Sequence, residues 1–354
     1  MKIHFKLCIL GTGGIANAFA NDLKLLNGHA VVAVGSRTKK SAKNFAIKFK
    51  GCKPYDNYLD CIKDPNIDGI YIATPHNSHA KYSLLALKNG KPVLCEKPFS
   101  INSVEAKKMI NQALENNLLI MEAMWTRFLP HISRVRKIID ENILGEIKSL
   151  YADHGQNLSM NTNPRLWEPS LGGGALLDLG IYVVSLSHLI LGTPKSITSR
   201  AHFTNKGVDE QTSVIFNYKN NAQAVLKMTL KNNTPCRAII SGEKGYLEIS
   251  GLFYTPTSMT LVLNDGTKTF FESSSFKKSN FLLAVSIILP TSLIYLMEIN
   301  SHLSSRLRKF GFFLSDINFL DMALSIFKIN CTSNSLDFLD DTLSINNFPT
   351  FILF

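Results

Sequence analysis

The feature that most constrains this chain is a glycine loop set between a short apolar run and a stretch of helical periodicity. Residues 6–10 are mostly apolar, Gly11-Thr12-Gly13-Gly14-Ile15-Ala16 follows at once, and apolar residues then recur at helical spacing through Leu26. Strand, tight turn and helix in that order open a doubly wound nucleotide-binding fold. In such a loop Gly11 permits the turn, Gly13 lets backbone approach a pyrophosphate, and Ala16 lets the helix pack closely on its strand. The phosphate then sits at the helix N-terminus, where free N–H groups and the helix dipole attract it. Glycines of this kind can also serve turn geometry alone, and it is their flanks that favour the ligand-binding reading.

The alternation continues, with a strand over 29–35, a helix over 39–50, a strand over 69–74, a helix over 78–89, a strand over 92–95, a helix over 103–116 and a strand over 118–123. This pattern predicts a parallel sheet covered on both faces, with ligands gathered at the carboxyl ends of the strands. Thr74-Pro75-His76-Asn77, Glu96-Lys97-Pro98 and Met124-Trp125-Thr126-Arg127 are expected to line that crevice. His79, one turn into its helix, reads as a structural histidine rather than a ligand. The second strand ends in Ser36-Arg37-Thr38, about 20 residues past the loop, where an NAD-selective site would offer Asp or Glu to the ribose 2′-hydroxyl. Ser36 can donate to a 2′-phosphate and Arg37 can pair with it or stack on adenine, which points to NADP. The plain alternative is a solvated basic turn with Lys39 and Lys40.

Two constellations carry candidate chemistry. Lys97 follows directly on an apolar strand, at the edge of the crevice, where desolvation beside a positive nicotinamide ring would lower its pKa and let it exchange a proton with a hydroxyl or a tyrosine. Its structural alternative is a surface lysine paired to Glu96. The second is Gly172-Gly173-Gly174-Ala175-Leu176-Leu177-Asp178-Leu179-Gly180-Ile181-Tyr182, a glycine run opening an apolar helix that puts Asp178 and Tyr182 four residues apart on one face. Tyr182 can then give or take a carbinol proton while Asp178 orients substrate hydroxyls or Lys97. An interfacial tyrosine and a helix-capping aspartate would give the same pattern.

Taken together, GTGGIA, EKP, EAMWTRFLP and GGGALLDLGIY, in this order and at these separations, resemble the glucose-fructose oxidoreductase and inositol dehydrogenase (Gfo/Idh/MocA) family. Met124-Trp125-Thr126-Arg127-Phe128 and Pro164-Arg165-Leu166 are most similar to its branch of dimeric trans-dihydrodiol dehydrogenases, which also oxidise D-xylose with NADP. The resemblance implies Lys97 as a catalytic residue, Tyr182 as the acid/base, Asp178 as their partner, and Trp125, Arg127 and Arg165 near a diol or sugar substrate. It also implies aromatic residues such as Phe253-Tyr254 around the substrate, and a homodimer joined face to face through an open sheet in the second domain.

The expected organisation is α/β: a Rossmann domain over 1–124 with a doubly wound parallel sheet, and an α+β substrate and dimerisation domain over 125–272 with an open, mostly antiparallel sheet. Runs at 146–153, 196–203, 212–218, 222–229, 236–242, 245–249 and 259–263 read as its strands, with Asn264-Asp265-Gly266 as a hairpin turn. Residues 273–354 are rich in Ser, Phe, Leu, Ile and Asn, hold a single glycine, Gly311, and read as an atypical tail or a gene-model artefact that should be the least ordered part. An uncharged apolar run at 281–297, broken by Pro290, stands at the lower limit of a membrane span and is expected not to be one.

The six cysteines form no CxxC pair and no compact Cys/His cluster, so no metal site is expected, and the four in or beside the N-terminal α/β pattern read as small buried hydrophobes of a reduced, cytoplasmic protein. A formal charge of +11 suits nucleic acid or a phosphorylated ligand alike, but no basic stripe with interleaved aromatics supports nucleic acid. The leading reading is an NADP-dependent dehydrogenase, and its rival is a non-catalytic NADP-binding regulatory protein that has lost turnover through its altered C-terminus.

Overall fold

The computed structural model describes residues 5–273, which divide into two units at Trp125/Thr126. In the first, six parallel strands, β1 (Phe5–Leu10), β2 (His29–Gly35), β3 (Lys53–Tyr55), β4 (Gly69–Ile72), β5 (Val93–Cys95) and β6 (Ile120–Glu122), lie in the order β3-β2-β1-β4-β5-β6. They alternate with α1 (Gly14–Leu23), α2 (Lys39–Ala46), α3 (Tyr58–Lys63), α4 (His79–Lys88) and α5 (Ser103–Glu115). β4 and β5 are buried at every position, as a sheet covered on both faces requires. The strand order reverses between β1 and β4, and this is the switch point at which such sheets open a crevice.

β3 and α3 escape the sequence reading for a physical reason. β3 is a three-residue edge strand holding Pro54, and α3 has six residues, so neither is long enough to show a period. The helix expected over 39–50 ends at Ala46 and tightens into successive turns, with Lys48 N–H donating to Phe45 O and Phe49 N–H to Ala46 O. The expectation of reduced cysteines is corrected for one pair: Cys8 on β1 and Cys61 on α3 form a disulfide across 53 residues, a separation that leaves no motif in the sequence. Cys52, Cys95 and Cys236 are free and buried.

The second unit carries α6 (Pro130–Asp140) and then a sheet of β7 (Ile147–Gly155), β8 (Ser196–Phe203), β9 (Asp209–Asn217), β10 (Gln223–Thr229), β11 (Ala238–Gly242), β12 (Gly245–Ile249), β13 (Met259–Leu263) and β14 (Lys268–Phe271). Their order is β14-β13-β12-β11-β7-β10-β9-β8, antiparallel throughout except where β10 runs parallel to β7. Asn264-Asp265-Gly266 turns β13 into β14, with Gly266 at φ +89°. β14 itself is exposed along nearly all its length and lacks the alternation that marks a half-buried strand.

Between β7 and β8 lies α7 (Ile181–Leu191), preceded by one wide π-turn over Leu176–Gly180. α7 is buried from Ile181 through His188 and packs against β7 and β10, which makes this long apolar stretch a core helix. The register of the sheet places Thr198, Ile215, Val225, Tyr151, Ile239, Glu248, Thr260 and Phe270 in one row from strand to strand. Ile215, Val225, Tyr151 and Phe270 on that row are exposed, so this face is apolar and open to solvent. The expectations for the tail and for the run at 281–297 lie outside the described residues.

Candidate active site

In the first unit the sequence-predicted cofactor residues gather at the carboxyl ends of β1, β2, β4 and β5. Gly11 has φ +115°, and a Cβ there would stand 2.3 Å from Ala73 O, so only glycine lets β1 turn beside the end of β4. Gly13 and Gly14 face open space, with nothing within 4 Å of an added Cβ. Helices α2, α3 and α5 start with a side-chain cap from Thr38, Asn57 and Asn102, whereas α1 starts at Gly13 with none. The first-turn N–H groups beside Gly13, Gly14 and Ile15, with Thr12 flanking them, are thus uncapped and unobstructed, and a pyrophosphate fits there. Ser36 is buried at the end of β2 and Arg37 beside it is exposed, with no carboxylate at either position.

Thr74 and His76 are buried after β4, with Pro75 and Asn77 between and after them. His79 lies between two loops of this crevice, its Nδ1 2.8 Å from Pro98 O and its Nε2 2.9 Å from Thr74 O. Glu96 is buried after β5, where Tyr71 donates its hydroxyl to Oε1 and the Lys97 backbone N–H donates to Oε2 at 3.2 Å. The carboxylate thereby ties β4 to the loop that presents Lys97, whose side chain is half-buried. Trp125, half-buried, closes this unit after β6.

The second unit assembles a different chemistry. The π-turn presents Asp178, buried, one turn before Tyr182, also buried, at the start of α7. Arg165, half-exposed, donates from Nη2 to Asp178 Oδ1 at 3.3 Å. Tyr182 borders a small cavity with Arg127, Ser185 and Phe253, and Arg127 Nε donates to Ser185 Oγ at 3.0 Å. Gly174 has φ +118°, and a Cβ there would reach 2.0 Å from Asp209 Oδ1. That aspartate is buried at the foot of the π-turn and accepts from Leu176 N–H and Thr212 Oγ1, both at 2.8 Å. Burial pushes its carboxyl up to about 7, against the pull of those donors.

Several residues of this cluster were missed in the sequence. His154, at the end of β7, stacks on Tyr254 at 4.1 Å and meets the edge of Tyr182 at 5.1 Å between ring centroids. Gln156 donates to Tyr254 Oη at 3.1 Å. His131 on α6 is buried and 2.9 Å from Phe253 O through Nε2, and burial lowers its pKa against the effect of that carbonyl. A lone histidine in a strand carries no sequence signal. The one hint was that Asp153 and His154 are consecutive polar residues at the end of a strand, which must face opposite sides of the sheet; in the structure both are buried.

These two halves, a glycine-loop dinucleotide fold and a sheet unit offering tyrosine, aspartate and arginine, define a nucleotide-dependent oxidoreductase. Residues 5–124 match the oxidoreductase family with NAD-binding Rossmann fold, and residues 132–248 match the Gfo/Idh/MocA C-terminal domain. The chain belongs to the Gfo/Idh/MocA family. It is 38% identical over 268 residues to trans-1,2-dihydrobenzene-1,2-diol dehydrogenase of Xenopus laevis, covering 75% of this chain and 80% of that one. To the Mus musculus protein of the same name it is 36% identical over 278 residues, with 77% and 82% covered. The fold is shared with the 3-ketoreductase KijD10 from Actinomadura kijaniata in complex with NADP and TDP-benzene (TM-score 0.73, 24% identity, 82% of this chain and 90% of that one). It is shared equally with an oxidoreductase from Agrobacterium radiobacter in complex with NAD+, L-tartaric acid and magnesium (TM-score 0.76, 18% identity, 94% and 98% covered).

Proposed function

We propose that this chain is an NADP-dependent dehydrogenase that transfers hydride between nicotinamide and a trans-dihydrodiol or an aldose such as D-xylose, as a homodimer. The observation that carries the reading is the Arg165–Asp178–Tyr182 arrangement, in which a buried tyrosine follows, by one turn, a buried carboxylate engaged by a guanidinium. The names of its curated relatives support the diol as substrate class. The exposed apolar row through Ile215, Val225 and Tyr151 supports pairing of two copies through this sheet.

When bound, the dinucleotide supplies the hydride-transfer chemistry. The uncapped start of α1 would take its pyrophosphate and Ser36 and Arg37 its 2′-phosphate, with the loops of Thr74 to Asn77 and of Glu96 as the further residues that would hold it. Tyr182 accepts the proton of the substrate hydroxyl when the carbinol is oxidised and returns it in the reverse direction. Lys97 is assigned as the second catalytic residue, as the family resemblance implies. Asp178 with Arg165 is assigned to orient the hydroxyls of the substrate, and Trp125 and Arg127 are carried over as substrate residues from the family resemblance.

The test follows NADPH absorbance with a trans-dihydrodiol and with D-xylose. The wild type should use NADP in preference to NAD, and Arg37→Asp should reduce that preference about tenfold or more, the scale of one charge-assisted hydrogen bond. Equal use of both dinucleotides, unchanged by the substitution, would overturn the cofactor assignment. Tight NADP binding with no turnover of either substrate would replace the dehydrogenase by a regulatory NADP-binding protein.

A further inference from the structure

We infer that His154 is a positioning residue: the hydrogen bond that one ring nitrogen donates and the one that the other accepts lock the π-turn that carries Asp178 and the Gln156 amide that holds Tyr254, and so set the pose of Tyr182. The inference rests on the acid/base role proposed for Tyr182. His154 is 1% exposed, so its polar atoms must be satisfied inside the unit. Nδ1 stands 3.2 Å from the carbonyl oxygen of Leu179, which can only accept, and therefore carries the proton. Nε2 stands 2.9 Å from Nε2 of Gln156, an amide nitrogen that can only donate, and therefore carries the lone pair. With the Gln156 amide oriented this way, each ring nitrogen has a separate task.

The first task concerns the turn. Leu179 lies within the π-turn, whose wide hydrogen-bond spacing departs from the helix that follows it, and such turns are costly unless the surroundings hold them. Asp178 immediately precedes Leu179, and Tyr182 follows it by three residues, so the bond to this one carbonyl fixes the turn between the carboxylate and the phenol. The second task concerns the ring face. Gln156, bonded to His154, also donates to Tyr254 Oη at 3.1 Å, and Tyr254 in turn stacks on His154 and meets Tyr182 at 5.3 Å between centroids. His154 thus contacts the phenol ring edge-on at 5.1 Å and holds its aromatic neighbour in place. It acts through Tyr182 and is not assigned a proton of its own.

The test compares three substitutions in the full chain. His154→Phe keeps the ring volume and the stacking and removes both hydrogen bonds. His154→Asn keeps a donor where Nδ1 stood, and Tyr182→Phe reports on the underlying reading. His154→Phe should lower kcat roughly tenfold with NADP affinity unchanged, because small misplacements of a reacting group cost rate rather than remote binding. His154→Asn should restore kcat to within about threefold of wild type, since it retains the bond to Leu179. A parallel readout, which needs no substrate, is amide hydrogen exchange over residues 176–184, expected to accelerate selectively in His154→Phe and to recover in His154→Asn. Unchanged exchange and unchanged kcat in His154→Phe, or equal loss in Phe and Asn variants, would overturn the positioning role. Retained turnover in Tyr182→Phe would instead overturn the acid/base reading, whatever the exchange data show.

Discussion

The two units of this chain solve the same task, holding functional groups at the edge of a sheet, in opposite ways. In the first, every group assigned to the cofactor sits in the loop or first helical turn after a strand: Gly11 to Ile15 after β1, Ser36 and Arg37 after β2, Thr74 to Asn77 after β4, Glu96 and Lys97 after β5. Strand and ligand residue are adjacent in sequence. In the second, Arg127, His154, Arg165, Asp178, Asp209 and Tyr254 come from six separate segments and are joined by sheet pairing and hydrogen bonds across many residues. A parallel sheet with covering helices makes function local in sequence, whereas a mostly antiparallel sheet with two helices makes it a property of the fold.

Glycine substitutions give the largest expected contrast. Gly174→Ala places a Cβ 2.0 Å from Asp209 Oδ1 at a positive φ, and should destabilise the second unit by about 3 kcal/mol or more. Gly13→Ala meets nothing within 4 Å and should leave the thermal midpoint nearly unchanged while weakening NADP binding. Scanning calorimetry with NADP titration checks the pair, and equal stability loss in both would break the distinction between a structural and a ligand-facing glycine run.

Next in size is the pH response of the Asp209 cap. Its folded pKa of about 7 lies above the value of 3.8 for an exposed carboxyl, so the folded state holds a proton that the unfolded state releases. Its contribution to stability is therefore full below about pH 4 and is lost as pH rises through 7, a change on the order of a few kcal/mol. Denaturant unfolding from pH 4 to 8 should show this fall, and Asp209→Asn should flatten it. A profile identical in wild type and Asn variant would show that other groups set the slope.

The smallest effect is expected at the open face. Val225→Asp puts a charge at the middle of the exposed apolar row and should shift the protein towards monomer in sedimentation at micromolar concentration, with the isolated fold intact. Unchanged sedimentation would remove this face as the dimer surface.

How much of this was legible follows from the same contrast. The Rossmann strands, the glycine loop and the missing acid after β2 could be read because apolar runs and turn residues lie side by side. The strands at Ser196–Phe203, Gly245–Ile249 and Met259–Leu263 were read to the residue, since one face less exposed than the other gives them a period near two. β3, α3 and β14 were missed because they are short or exposed. His154 and Asp209 were missed because their roles are set by partners 25 and 33 residues away, Leu179 and Leu176. The disulfide between Cys8 and Cys61 was missed for the same reason, its partners lying on β1 and α3.

The claim on which the account turns is that the first unit binds the cofactor while Tyr182 of the second exchanges the substrate proton, with Lys97 as the other catalytic residue. Measuring NADP affinity and turnover on the same samples of wild type, Tyr182→Phe and Lys97→Met tests it most directly. The account predicts affinity within about twofold of wild type for Tyr182→Phe, with turnover reduced roughly 10²-fold or more in each variant, the scale of a lost positioned acid/base. Turnover that survives Tyr182→Phe, or falls only in step with lost NADP binding, would contradict it.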